Sequence, residues 1–207
     1  MINSSATRIY STRDPGGKTD DQLMRSYAKG NMNAFEILYG RYKTRLFSYM
    51  ARNCHDRDRV EELYQDVWLR VITSASRYKA EGRFRSWLFT LAHNRLVDFY
   101  KSGDNRIIRE ELDEGTAAGA GMPSDESRCP VEKALESEEM LAKIEILVNR
   151  LPLEQKMAFI LREDSGFAIS EIAEIQGISY EAAKSRLRYA YQKLREGLES
   201  NPANGDK

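Results

Sequence analysis

The chain has 207 residues, of which 41% are apolar and 31% are charged, as is ordinary for a soluble globular protein with one large or two small domains. No uncharged apolar run approaches the ~20 residues of a membrane-spanning helix, and the start of the chain has no apolar core, so we expect no membrane insertion and no secretion signal. Two widely separated cysteines, Cys54 and Cys129, argue against a disulfide framework and favour a reducing, cytoplasmic location.

The net charge is zero, but it is unevenly distributed. Residues 20–102 contain 15 Lys and Arg against 10 Asp and Glu, residues 103–140 contain 4 against 11, and residues 141–199 contain 9 against 9. Within this last part, the residues after Gly177 include five basic residues and three acidic ones. A basic block is thus joined through an acidic segment to a block with a basic end, which is typical of a chain that contacts a polyanion on some faces.

Apolar residues in the first block recur at steps of three or four, without the alternation of a strand. This period predicts about four helices packed as one small bundle over residues 20–102, preceded by a disordered tail over residues 1–19. Asn and Asp in "NMNAFE" and "HDRDRVEE" are suited to cap two of these helices. The stripes comprise Phe35, Leu38, Tyr39, Tyr42, Leu46 and Tyr49; Val60, Leu63, Tyr64, Val67, Trp68, Val71 and Ile72; and Trp87, Leu88, Leu91, Ala92 and Phe99.

Residues 103–130 are rich in glycine and acidic residues and poor in apolar ones, which predicts a flexible acidic linker. As a relaxed coil it would average roughly 30 Å end to end, and fully stretched it would reach roughly 90 Å. A second helical block follows over residues 131–200, with a disordered tail over residues 201–207. The predicted fold class is therefore all-α, with two small helical domains joined by the linker.

The stretch "ISEIAEIQGISYEAAKSRLRYAYQKL" predicts a helix-turn-helix in the second domain. Ser170 is a plausible cap for its first helix, Gly177 can adopt the left-handed conformation that ends that helix, and Ser179 can cap the next. Cations near the start of the second helix are suited to phosphates and guanine edges in the DNA major groove. An ordinary helical hairpin with a solvated basic face is the alternative.

The first domain contains a segment that interleaves aromatic residues with cations, "RYKAEGRFRSWLFTLAHNRLVDFYKS". Aromatic faces stack unpaired bases while cations follow the phosphates, so the segment favours single-stranded or opening DNA. The alternative is that most of these aromatic residues form the core. In that case only the loop Tyr78–Arg85 and the polar face of the helix contact nucleic acid.

Four stretches, in this order, resemble the conserved parts of an alternative RNA polymerase sigma factor of the extracytoplasmic-function type, in the sigma-70 family. They are "DRVEELYQDVWLRV", "FRSWLFTLAHNRLVDFYK", "RLPLEQKMAFILRE" and "SEIAEIQGISYEAAKSRLRYAYQKLR". The resemblance implies a factor that binds core RNA polymerase, through the clamp helices of its largest subunit and its flap, and directs promoter-specific initiation with DNA melting. It also implies an anti-sigma factor as a partner.

The resemblance implies roles for individual residues. The polymerase clamp would be contacted by Glu61, Glu62, Leu63, Gln65, Asp66 and Leu69. The minus-ten element would be read and melted by Lys79, Gly82, Arg83, Phe84, Arg85, Asn94, Arg95, Asp98 and Lys101. The minus-thirty-five element would be contacted by Tyr180, Glu181, Lys184, Ser185, Arg186 and Arg188. The chain departs from the family pattern with Ala182 and Ala183 in place of Thr and Val, and with Tyr189 and Tyr191 where basic residues are common.

The resemblance also gives the linker a role. The two promoter elements lie about two helical turns apart, roughly 70 Å, so we expect polymerase to hold the linker extended, where its acidic charge could occupy a basic channel. A plain solubilising linker is the alternative.

Two other classes of function compete with this interpretation. A helix-turn-helix regulator that binds a duplex operator without polymerase would explain the second domain but leave the first without a role. An enzyme is not expected, because Cys54 and His55 are adjacent while His93 and Cys129 are distant, so no zinc-ligand spacing appears. We therefore expect no catalytic residues, no cofactor and no metal.

Overall fold

The computed structural model describes residues 17–54, 56–79, 83–102 and 138–199. The regular elements in these ranges are all helices, which confirms the predicted all-α class. The predicted linker and carboxy-terminal tail lie outside the described residues, as does the predicted amino-terminal tail up to residue 16.

The first domain has four helices in its described part, in agreement with the sequence. They are α1 (Asp20–Ala28), α2 (Met32–Asn53), α3 (Arg57–Ser74) and α4 (Phe84–Ser102), with a short 3-10 turn (Ala75–Arg77) after α3. The predicted caps are confirmed, since Asn31 accepts a hydrogen bond from the amide of Ala34, and Asp56 accepts from the amides of Asp58 and Arg59. These side-chain oxygens satisfy amides that have no partner inside the helix.

A buried carboxylate fastens α1 to this bundle. Asp20 accepts hydrogen bonds from the Arg41 guanidinium and from the Tyr42 hydroxyl, both on α2. The neighbouring Asp21 accepts from the hydroxyl of Tyr78, which follows the 3-10 turn. Because α1 contacts both α2 and Tyr78, it fixes the position of the chain just before α4.

The second domain has four helices in its described part: α5 (Glu138–Asn149), α6 (Leu153–Glu163), α7 (Ile169–Gln176) and α8 (Tyr180–Glu199). Gly177 ends α7 with a φ of 65°, the left-handed conformation predicted for it. Ser179 accepts from the amide of Ala182 and caps α8, also as predicted.

The predicted cap of α7 is wrong. The helix begins at Ile169, one residue before Ser170, and the amide of Ala168 donates instead to the Glu171 carboxylate at 2.8 Å. Glu171 in the first turn therefore accepts a hydrogen bond from the amide of the residue before the helix. Ala168 has no side-chain oxygen with which to cap the helix itself.

Helices α5 and α8 pack closely because α8 has a glycine where the two helices meet. A side chain at Gly197 would overlap Leu147 of α5. The amine of Lys143 on α5 donates to the carbonyl of Leu198 at 3.0 Å, beside the same place. The first helix of the second domain is thus held by the last turns of its last helix.

The two domains contact each other in this structure. Helix α4 lies against α7, and α2 lies against α6. Among the described helices, none has both the length and the apolar content needed to cross a membrane.

Candidate nucleic-acid interface

A basic cleft of about 480 Å³ opens where the end of α3, the 3-10 turn and the start of α4 meet. Cations and two aromatic rings share this space, and the only acidic side chain that lines it among the described residues is Glu174, from the second domain. Such a mixture suits an unpaired base and its flanking phosphates. The lining residues are Arg70, Ser74, Arg77, Tyr78, Lys79, Arg83, Ser86, Trp87, Thr90, Leu91 and Glu174.

The aromatic residues of the cleft are supported from below. Tyr78 and Trp87 are half-buried, with ring centroids 4.8 Å apart. Phe84 is only 1% exposed and packs against Trp87 and Tyr42, so its predicted contact with DNA does not fit its position. Phe84 instead belongs to the core that supports the cleft.

Two arginines, Arg83 directly before α4 and Arg85 in its first turn, contact the second domain. The guanidinium of Arg83 lies 3.0 Å from the Glu174 carboxylate of α7. The guanidinium of Arg85 lies 3.8 Å from the centre of the Phe167 ring and donates to the carbonyl of Ser165. Of the other residues predicted for this loop, Lys79 is exposed and Gly82 lies outside the described residues.

Further along α4, Asn94, Asp98 and Lys101 recur at steps of four and three and are all exposed, as a face that follows a strand would require. Arg95 is different, because its guanidinium is paired with Asp66 of α3 at 2.7 Å. This ion pair joins two residues that the sequence had placed in separate sites, one for DNA and one for polymerase.

The predicted polymerase face lies on α3. Glu61, Gln65 and Leu69 recur at steps of four and are exposed, Leu69 by 59%. Glu62 is also exposed and pairs with Arg59 at 2.6 Å. Leu63 is 1% exposed and belongs to the core, so its predicted contact with polymerase does not fit this structure.

The start of α8 presents most of its predicted DNA residues to solvent. Tyr180 is 49% exposed, and Glu181 and Lys184 are exposed. Ser185 and Arg188 are half-buried, and the Arg188 guanidinium lies 4.8 Å from the centre of the Tyr189 ring. This face matches the part of a recognition helix that contacts base edges and phosphates.

Arg186 does not share that face. Its guanidinium lies 2.7 Å from the Glu154 carboxylate of α6 and donates to the side-chain oxygen of Gln176 on α7 at 3.0 Å. Its side chain is 17% exposed. Arg186 thus ties together the three helices that build the helix-turn-helix, a role that spacing along α8 did not reveal.

Two buried bases lie where the domains meet. Burial, together with the nearby charges of Arg186 and Lys101, lowers the pKa of His93 on α4 to about 4. Burial, together with the charge of Arg52 on α2, likewise lowers the pKa of Lys156 on α6 to about 8. His93 contacts the hydroxyl of Tyr49 at 3.4 Å, so it is a packed residue.

Sequence reasoning missed two cations of the cleft, Arg70 and Arg77. Arg77 directly precedes Tyr78, which also lines the cleft. Its position at the start of the aromatic and basic segment could therefore have identified it as a cleft residue. Arg70 lies on α3, and no local pattern marks it. In the part of the chain that the structure describes, no group of three His, Cys, Asp or Glu side chains could hold a metal ion.

Two separate parts of the chain match the models of known families. Residues 38–106 match the family model for Sigma-70 region 2, and residues 141–194 match the model for Sigma-70 region 4. The chain is 30% identical over 190 residues to the ECF RNA polymerase sigma factor SigK of Mycobacterium ulcerans, covering 90% of this chain and 98% of that protein. It is 31% identical over 184 residues to the RNA polymerase sigma factor CarQ of Myxococcus xanthus, covering 84% and 95%.

Solved structures show the same fold. CnrH, solved in complex with the cytosolic domain of CnrY, matches with a TM-score of 0.62 and 21% identity over 88% of this chain and 98% of that one. The sigma factor RpoE of Bartonella quintana, solved with the anti-sigma factor NepR, matches with a TM-score of 0.58 and 22% identity over 81% and 98%.

Proposed function

This chain belongs to the extracytoplasmic-function group of the sigma-70 family, which directs core RNA polymerase to specific promoters, and we propose which of its surfaces perform each step. The basic cleft of the first domain takes an unpaired base of the minus-ten element. The exposed face of α4, with Asn94, Asp98 and Lys101, then guides the strand. The rival interpretation as an operator-binding regulator is not favoured, because the first domain itself matches a sigma region.

The observation that supports this proposal best is the convergence of cations from separate elements on two aromatic rings. Arg70 comes from α3, Arg77 from the 3-10 turn, and Lys79 from the chain before α4. Bound DNA would neutralise these cations and release counterions, so its affinity would fall steeply with salt.

The other two surfaces complete the proposed assembly. The exposed side of α3, with Glu61, Glu62, Gln65 and Leu69, contacts the polymerase clamp, where acids can pair with a basic partner and Leu69 adds apolar contact. The start of α8, with Tyr180, Glu181, Lys184, Ser185 and Arg188, contacts the duplex of the minus-thirty-five element. The domains are those predicted from the sequence, over residues 20–102 and 131–200, and polymerase holds the linker between them extended.

The proposal extends to partners and location. CnrH and RpoE were solved with the partners CnrY and NepR. By analogy, an anti-sigma factor holds this chain inactive until a signal releases it. Its place of action is the cytoplasm, where polymerase and promoter DNA meet, and it contributes binding energy to initiation without catalytic groups of its own.

The cleft is tested with the double variant Arg77→Ala/Lys79→Ala, assembled with core polymerase. We expect weaker binding of a single-stranded minus-ten oligonucleotide, and a slope of log affinity against log salt that is smaller by about 1.4, or about 0.7 for each cation removed from the phosphates of a single strand. Fluorescence anisotropy across a salt series measures both quantities.

The matched control is Lys29→Ala/Arg57→Ala, which removes the same charge from exposed positions that do not line the cleft. It should keep the wild-type slope. An equal loss in both double variants would show that only net charge matters and would remove the cleft from the site.

A further inference from the structure

We propose that Asp21 on α1 is a positioning residue for the cleft: its carboxylate holds the hydroxyl of Tyr78 and thereby fixes the ring on which an unpaired base stacks. Asp21 itself does not line the cleft. Helix α1 precedes residues 38–106, which match the family model, so that match assigns it no role. The inference rests on the proposed function of the cleft and extends it to this helix.

The orientation of Tyr78 depends on the contacts of its side chain. Tyr78 follows the 3-10 turn with an extended backbone, at a φ of −62° and a ψ of 125°. Its amide donates to the carbonyl of Ala75 at 3.4 Å, which is long for a hydrogen bond. Since Tyr78 belongs to no regular element, its hydroxyl and its ring must be held from outside the turn.

Asp21 holds the hydroxyl end of this side chain. The Tyr78 hydroxyl donates to the Asp21 carboxylate at 2.5 Å. Hydrogen bonds from a hydroxyl to a carboxylate are shorter and roughly twice as strong as those between neutral groups. The ring packs against Trp87, with centroids 4.8 Å apart. The side chain is thus fixed at both ends, by α1 at the hydroxyl and by α4 along the ring.

Helix α1 is itself firmly attached to the bundle, so it can serve as a fixed point. The neighbouring Asp20 is 4% exposed and accepts hydrogen bonds from Arg41 and Tyr42 of α2. Leu23 of α1 is buried in the core. Two consecutive acids in the first turn of α1 thus have different partners, since Asp20 joins the helix to α2 and Asp21 joins it to the cleft.

The links made by both acids meet in the core that supports the cleft. The ring of Tyr42, whose hydroxyl binds Asp20, packs on Phe84 with centroids 5.5 Å apart. Phe84 also packs against Tyr78 at 5.9 Å and against Trp87 at 5.7 Å. The rings that line the cleft are therefore connected to α1 by two routes, one through the hydroxyl of Tyr78 and one through Phe84.

A ring that is already fixed binds a base more tightly than one that must first be ordered. Ordering a side chain at an interface costs free energy, and the stacking of a base on an aromatic face has to offset this cost. We therefore expect the link between Asp21 and Tyr78 to raise the affinity for an unpaired base roughly two- to tenfold, without changing the contacts made with phosphates.

The test uses the full chain assembled with core polymerase and two fluorescent probes, a single strand of about 12 thymidines and the same strand with its bases removed. Tyr78→Phe keeps the ring and the net charge but loses the hydroxyl. Asp21→Ala loses the acceptor and one negative charge, whereas its matched control, Asp21→Asn, loses the charge and keeps an acceptor. Anisotropy titrations across a salt series measure the affinity and its salt slope.

The expected result is a loss of affinity that depends on the bases. Tyr78→Phe should bind the thymidine strand roughly two- to tenfold more weakly than wild type, and Asp21→Ala should do so relative to Asp21→Asn. Adding Tyr78→Phe to Asp21→Ala should cause no further loss, because both changes remove the same hydrogen bond. The abasic strand should bind equally within each compared pair. The salt slope of Tyr78→Phe should equal that of wild type, since every cation of the cleft remains.

Three results would overturn the proposal. The first is an unchanged affinity for the thymidine strand in either comparison. The second is a further loss when Tyr78→Phe is added to Asp21→Ala. The third is an equal loss for both probes, which would show that the hydrogen bond only stabilises the domain. If Asp21→Ala does not fold, the comparison of Tyr78→Phe with wild type on the two probes decides alone.

Tyr78→Ala distinguishes a failure of this proposal from a failure of the proposed cleft. It removes the ring and should weaken binding of the thymidine strand at least as much as Tyr78→Phe does. If Tyr78→Ala weakens this binding and Tyr78→Phe does not, the cleft stands and the positioning role of Asp21 is wrong. If Tyr78→Ala leaves the affinity for the thymidine strand unchanged, no base stacks on this ring, and both proposals are wrong.

Discussion

The proposed DNA faces of the two domains differ in how far they are covered in this structure. In the second domain, Tyr180 and Lys184 at the start of α8 are exposed to solvent. In the first, Arg83 and Arg85 at the start of α4 are already bound to groups of the second domain. The proposed face for upstream duplex is therefore open to solvent, whereas two arginines of the proposed face for the melted strand are covered by the second domain.

The difference follows from what each domain buries. The helix-turn-helix satisfies its own polar groups internally, through Arg186, Glu154 and Gln176, so its outer face needs no partner. The first domain leaves Phe89 of α4 to be covered by Phe167 of the second. The helix-turn-helix thus satisfies its polar groups within its own domain, whereas an apolar residue of the first domain is covered by the second domain.

The largest expected effect is a loss of folding stability at acid pH. It comes from His93, which is buried on α4 where the first domain is covered by the second. Its pKa of about 4 in the folded chain lies below the ordinary value of 6.5, so the unfolded chain binds the proton first as pH falls. The free energy of unfolding should fall by about 3 kcal/mol between pH 6.5 and 4 on account of this group alone. Denaturant titrations across this range measure it.

The control for His93 is the His93→Gln variant, which keeps a hydrogen-bonding side chain but cannot titrate. Carboxylates titrate equally in both proteins, so the difference between their pH profiles isolates His93. Parallel profiles would mean that solvent reaches His93 in solution, and hence that the covered face is open.

A medium effect is expected within α8, from Arg186 and Arg188. Arg186→Ala leaves the nearly buried Glu154 without its cation and should cost about 2 kcal/mol of stability in the second domain. Arg188→Ala should leave stability nearly unchanged and weaken binding to upstream duplex by about 1 kcal/mol. Thermal unfolding and duplex anisotropy, performed on both variants, separate the two roles.

An Arg186→Ala protein that unfolds like wild type and loses only DNA affinity would contradict the internal role of Arg186. It would also show that the two arginines act together on the outer face.

The smallest effect of a substitution is expected at Lys156, where α6 meets α2. Its pKa of about 8 in the folded chain is below its ordinary value of 10.5, so stability is lost as pH falls from 10.5 to 8, and the loss is complete at pH 7. Lys156→Met should stabilise the chain by about 1 kcal/mol, a rise of about 2–4 °C in Tm. The variant should also lose the gain in stability between pH 8 and 10.5, whereas an unchanged pH profile would show that this amine is solvated.

The sequence predicted the local features of the fold well, because these depend on neighbouring residues. Asn31, Asp56 and Gly177 occupy the helix ends predicted for them. Resemblance to a family placed the functional stretches in order but could not tell which side of a helix is buried. Phe84 and Leu63 were therefore predicted to contact partners, although both are core residues.

The features that were missed join residues distant in the chain. Arg70 reaches the cleft from α3, and Glu174 reaches it from the other domain, across the range 103–137. Periodicity reports only on one helix at a time. No pattern within a single stretch could show that an acid of the second domain would pair with Arg83 of the first.

The tight packing of Gly197 against Leu147 has a consequence for shortened versions of this protein. Helix α5, the first described helix after the predicted linker, is held by the final turns of α8, through this glycine and the carbonyl of Leu198. Deleting the last turns of α8 would therefore loosen the place where the linker joins the second domain, while the start of α8 kept its fold. Trimming one end of the chain would thus alter how its two halves are tethered before it altered which sequence the second half recognises.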